Sequence, residues 1–177
     1  MKTKRRGLAA ALGGVAVVWL CLASGDGGLG AKGPDPADAG LAPATESWSE
    51  AEFEAWLPRA LAGDPTAAFR LGRAYSEGPG RSEDFGEAAR WFRKAAEAGH
   101  GPAQADLAML YGKGLGVPQD YVWSYAWFAA AAENMVHGRA REQTLELRDM
   151  MAAFLSPDER ARAERLAAQL KTIGAPR

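Results

Sequence analysis

The sequence predicts an all-α protein, a solenoid of tandem antiparallel helix hairpins. Three observations predict it. First, AAFRLGRAYSEG from Ala67 aligns without a gap on AQADLAMLYGKG from Ala103, and the register of 36 continues through Asp84 and Asp120, Trp91 and Trp127, and Ala96 and Ala132. A period of that length with two helical patterns per unit marks stacked helical pairs. Second, residues in each unit recur at helical spacing: Leu71 and Tyr75, like Leu107 and Tyr111, share one helix face. Third, Tyr121 to Ala132 is uncharged and apolar around its whole circumference. Such a helix is buried on more than one side. It is too short to cross a bilayer, which takes about 20 residues, so other parts of this chain should cover it.

Taken in order, residues 1–25 begin with Lys2, Lys4, Arg5 and Arg6, continue as an apolar run from Leu8 to Ala23, and close on the small residues Ala23, Ser24 and Gly25. This is the layout of a signal peptide. It predicts export, to the periplasm or outside the cell. The segment is either cleaved before Asp26 or retained as an inner-membrane anchor through residues 8–24. Cys21 follows Leu20, which is not small, so the pattern does not favour lipidation. Residues 26–46 are rich in Gly, Pro, Ala and Asp with no apolar period, the composition of a flexible linker.

Residues 47–63 read as an N-terminal capping helix. Ser47 and Glu50 have capping-box spacing, and Phe53, Trp56, Leu57, Ala60 and Leu61 form an apolar stripe. Pro58 should kink this helix or start it anew. Repeat one spans 64–99, opening on the cap Asp64 followed by Pro65. Repeat two spans 100–135. In each, a glycine (Gly78, Gly114) should end the first helix and an aspartate (Asp84, Asp120) should cap the second. Gly72 and Ala108 are small where two helices must approach closely. Residues 136–171 read as a C-terminal capping hairpin. Ala140, Thr144, Leu147, Met151 and Phe154 face inward on its first helix. Ser156-Pro157-Asp158-Glu159 starts the second, with Ala163, Leu166, Ala167 and Leu170 inward. Residues 172–177 are a tail.

These residues resemble the Sel-one-like repeat, a branch of the tetratricopeptide-like helical repeats. Repeat one supplies Ala67, Leu71, Gly72, Tyr75, Gly78, Gly80, Asp84, Ala88, Trp91, Ala95 and Ala96 of that pattern. Repeat two supplies Ala103, Leu107, Tyr111, Gly114, Gly116, Val117, Asp120, Trp127, Ala131 and Ala132. Ala108 replaces a glycine, Ser124 an alanine, and Arg81 stands where valine is usual. The resemblance implies a right-handed α-α superhelix. It also implies a non-catalytic adaptor that binds a protein or peptide partner, here in the cell envelope, through its concave face. In that architecture the remaining positions of the first helices line the groove: Phe69, Arg70, Arg73 and Glu77 in repeat one, and Asp106, Met109 and Lys113 in repeat two. Phe69 and Met109 beside Arg70 and Arg73 would suit an apolar peptide with acidic groups. Phe69 could instead pack on the helix ending at Ala62. Trp123 is either covered by the last hairpin or part of a partner-facing patch.

Other chemistry is thinly represented. Removing the four N-terminal bases leaves 17 bases against 22 acids, which argues against nucleic acid as a partner. One cysteine permits no intrachain disulfide. Gly112-Lys113-Gly114-Leu115-Gly116 lacks the order of a phosphate loop. His100 and His137 have no companions at ligand spacing and read as solvated turn residues. No cofactor, metal or catalytic residue is expected. The alternatives are an envelope enzyme of the cell-wall or β-lactam hydrolase type, and a structural subunit of an envelope complex docking through its convex side.

Overall fold

The computed structural model describes residues 50–77 and 83–173. Residues 1–49, 78–82 and 174–177 lie outside them, and with them the expectations for the signal segment, the linker, Ser47 and Gly78. Among the described residues there are seven helices and no strand: α1 (Glu50–Leu61), α2 (Pro65–Glu77), α3 (Phe85–Glu97), α4 (Gly101–Lys113), α5 (Tyr121–Asn134), α6 (Arg139–Ala152) and α7 (Pro157–Ile173). Each helix from α1 to α5 packs on the next, and α6 and α7 each pack on α5. The apolar helix is thus covered as its composition demands. Val122, Tyr125, Trp127 and Phe128 are buried, with Phe128 only 1% exposed. The Nε1 of Trp127 is buried without a hydrogen-bond partner, which costs about 1–3 kcal/mol against the gain from its ring.

The register of 36 is written into the backbone. The N–H of Asp84 donates to the carbonyl of Tyr75 at 2.9 Å, and that of Asp120 to the carbonyl of Tyr111 at 3.0 Å. The N–H of Asp64 donates to Arg59, and that of His100 to Ala95. The caps form as their spacing predicts. The Asp64 side chain accepts from the N–H of Thr66 and Ala67, Asp84 from Glu87, and Asp120 from Val122 and Trp123. Ser156 and Glu159 make the reciprocal pair that opens α7. Gly114 ends α4 in the left-handed region, at φ 70°. Gly72 lets Phe92 lie flat on α2, since a Cβ there would fall 2.5 Å from the ring.

Polar side chains then tie helix to helix. Gln104 is fully buried. Its Nε2 donates to the Ala96 carbonyl on α3, and its Oε1 accepts from Asn134 on α5, each at 3.0 Å. Ser124 donates to the Ala108 carbonyl at 2.8 Å, which gives the serine that replaces alanine in repeat two a packing role. Arg141 donates to the Ala132 carbonyl, satisfying one of the open acceptors at the end of α5. Lys171 pairs with Glu133 between α7 and α5, and that ammonium holds the Glu133 carboxyl below its usual range.

Three expectations change. Pro58 does not start the first helix anew; α1 runs through it from Glu50 to Leu61, without the bond that its N–H would have made. Phe154 lies beyond the end of α6 and is 52% exposed, stacked on Tyr121 at 4.7 Å instead of facing inward. His100 is not a solvated turn residue. It occupies the cap position of α4, equivalent to Asp64, where Nδ1 accepts from the N–H of Ala103 at 3.2 Å. Its ring packs 4.7 Å from that of Phe69.

His100 makes stability depend on pH. Burial lowers its pKa from the ordinary 6.5, against a smaller upward pull from Asp64. Below pH 6.5 the unfolded chain therefore binds a proton that the folded chain resists, and stability falls as pH drops from 6.5 towards the folded value. His100→Asn keeps a capping acceptor without a titrating ring. Urea unfolding at pH 7 and pH 5 should show the variant losing less stability on acidification than the parent; an equal loss would remove His100 from the account.

Candidate functional site

The candidate site is the face shared by α2 and α4, the first helices of the two repeats. Leu71 and Leu107 are fully buried and belong to the core. What remains accessible on this face is Arg70, Arg73 and Glu77 from α2, and Asp106, Met109 and Lys113 from α4. Phe69 does not join them. It is 6% exposed and packs against Phe92 and His100, so it is a core residue. Its ring contacts are with Phe92 on α3 and with His100 at the cap of α4. The reason is position: Phe69 lies two residues before Leu71 and turns into the junction between repeats.

Two of the charges on the face are matched to each other within the chain. Both Nε and Nη2 of Arg73 donate to Oε1 of Glu77, one helical turn away, the first at 2.8 Å. The pair is half-buried. The guanidinium of Arg70 sits 5.4 Å from the ring centroid of Trp56 on α1, a cation–π contact. Neither arginine is therefore a free cation. Asp106 is the counter-case. It is half-buried, and no hydrogen bond to it forms among the described residues. Burial pushes its carboxyl up to about 7; the pull of Arg73 downward is smaller, and Glu77 pushes upward. Met109 lies one turn further along α4, half-buried. Lys113, the last residue of α4, is exposed, and partial burial of its ammonium lowers its pKa.

Arg70, Arg73, Glu77, Asp106, Met109 and Lys113 each keep part of their surface accessible, whereas Phe69 does not. The sequence reading had paired Arg70 and Arg73 with an acidic partner; the spacing of Arg73 and Glu77, four apart on one helix, was the signal for an internal pair. The Arg70–Trp56 contact had no such signal, because the two residues lie on different helices. Trp123 also finds its partners inside the array. It stacks on Tyr111 at 5.9 Å and on Trp127 at 6.5 Å, so α4 and its own helix flank it. The Tyr111 hydroxyl in turn accepts from Arg93 on α3 at 2.8 Å. Among the described residues, no group of three His, Cys, Asp or Glu is placed to hold a metal ion, and no helix is long and apolar enough to cross a membrane.

Comparison with known proteins matches the Sel1 repeat model at residues 65–100 and 101–134. No curated protein matches the sequence. Among solved structures, the chain is similar to a protective antigen of uropathogenic Escherichia coli strains that displays an SLR fold. The two are 35% identical with a TM-score of 0.65, over 75% of this chain and 28% of the antigen, so this chain spans little more than a quarter of that protein. A Sel1 repeat protein from Oxalobacter formigenes is 28% identical over 64% of this chain and 98% of its own, with a TM-score of 0.42. The matched segments run from Pro65 at the start of α2 to Asn134 at the end of α5. The chain carries two Sel1 repeats, which form α2 to α5.

Proposed function

We propose that this protein is an exported, non-catalytic adaptor that holds a protein or peptide partner on the α2/α4 face. Sel1 repeat proteins typically mediate protein–protein interaction. The observation that carries the reading for this chain is the makeup of that face. Once Leu71, Leu107 and Phe69 are used by the core, the face still presents an apolar, adaptable side chain in Met109 between charged groups. Export rests on the basic start and apolar run of residues 1–25. With two repeats the face is short, so modest affinity is expected unless a membrane tether or self-association adds avidity.

Site-specific photo-crosslinking in the native envelope tests this. A crosslinker at Met109 should trap one partner, identified by mass spectrometry. The same group at Arg90, exposed on α3, should not. Trapping at Arg90 but not Met109 would move the partner to the other side of the array. Release of sugar fragments from peptidoglycan by the purified chain would replace the adaptor reading with an enzymatic one.

A further inference from the structure

An acidic partner would need a free cation on the α2/α4 face, and the geometry withholds one at its centre. Arg73 is bound through two nitrogens to Glu77, and Arg70 is seated over Trp56. Lys113 lies seven residues beyond Asp106 on α4, about 10 Å along the axis at 1.5 Å per residue. It stands at the edge of the face. The centre is left with Arg73, Glu77 and Asp106, one positive and two acidic groups. The guanidinium is already committed to one acid, and no donor among the described residues satisfies the other.

An isolated half-buried carboxylate is costly, and a supplied cation relieves that cost. Burial raises the Asp106 pKa to about 7 against the smaller downward pull of Arg73, so the charged form is costly there. A divalent metal fits poorly. It wants several oxygen ligands, while the neighbouring Glu77 oxygen is held by a guanidinium. A basic side chain fits better, because it brings its own donors and an aliphatic stem. Met109, one turn beyond Asp106 on the same side of α4, offers an adaptable apolar floor for that stem.

We infer that the α2/α4 face takes a basic anchor: a lysine or arginine from an extended segment of the partner, its cationic head on Asp106 and its stem on Met109. This rests on the adaptor reading above and specifies its partner chemistry, opposite in sign to the acidic peptide that the arginines first suggest.

Fluorescence anisotropy with the full chain tests it. The probes are fluorescein-labelled ten-residue peptide pools with varied apolar flanks and a fixed central Lys, Arg, Gln or Glu. The Lys and Arg pools should bind at least tenfold more tightly than the Gln and Glu pools. Asp106→Asn should erase that preference while leaving the Gln pool's binding unchanged. Glu77→Gln should also erase it, because it releases Arg73 to pair with Asp106. Thermal melts establish that each variant folds, and either variant alone suffices. Tighter binding of the Glu pool, or a Lys and Arg preference that survives both substitutions, overturns the inference. If all pools bind alike and Met109→Glu weakens them all, the adaptor face stands and the basic anchor falls. If no pool binds the intact chain, both fall.

Discussion

Gly116→Ala should destabilise the array by about 3 kcal/mol or more, seen as a lower urea midpoint for the full chain. Gly116 sits in the turn between α4 and α5 at φ 67°, and a Cβ there would lie 2.1 Å from the carbonyl oxygen of Phe85 and 2.6 Å from the amide nitrogen of Gly86. Two costs combine. An alanine in the left-handed region costs roughly 1–2 kcal/mol. The clash adds to this, because the atoms met are backbone at the start of α3 and cannot swing aside. The turn of repeat two rests directly on repeat one at this point, so relief of the clash would pry the repeats apart. Gly63→Ala separates the two terms. Gly63 has φ 96° with nothing within 4 Å of the added carbon, so it should cost only the conformational part. Equal losses at Gly63 and Gly116 would show that the close approach does not matter.

Phe128→Ala should cost about 3–5 kcal/mol, the range for deleting a large aromatic side chain from a packed core. Phe128 is 1% exposed on α5, the helix on which α4, α6 and α7 all pack. The ring therefore cannot be replaced by a small shift of one neighbour, and the cavity would remain. Phe154→Ala is the comparison. Phe154 is 52% exposed and meets Tyr121 by stacking, so its removal should cost less than about 1 kcal/mol. Urea unfolding of the two variants should separate them several-fold. Comparable losses would mean that the cover over α5 is less tight than its burial indicates.

The fold was legible because its signals are local or periodic. Asp64, Asp84, Asp120 and Ser156 announce helix starts by type and position, and each caps as expected. The uncharged run of α5 announced its own burial. His100 was legible in principle. It stands 36 residues after Asp64, so the repeat register already places it at a cap, although histidine is not among the usual capping residues. The site was less legible for a different reason. Helical spacing gives the face of its own helix that a residue belongs to. It does not say which charges are already satisfied. Arg70 meets Trp56 across helices, and Asp106 acquires its character from burial between α2 and α4. Both depend on packing between segments distant in sequence.

The two ends of the array are held unequally. At one end α5 lies beneath both α6 and α7; at the other, α1 buries only Ala60 completely and leaves Leu61 65% exposed. In a linear array each unit is stabilised mainly by its neighbours, so local opening should travel inward from α1 and stop at α5. Trp56, on that looser helix, is also the seat of Arg70. Fraying of α1 would therefore take the ring away from Arg70 and leave its guanidinium, charged in either state, free to reorient.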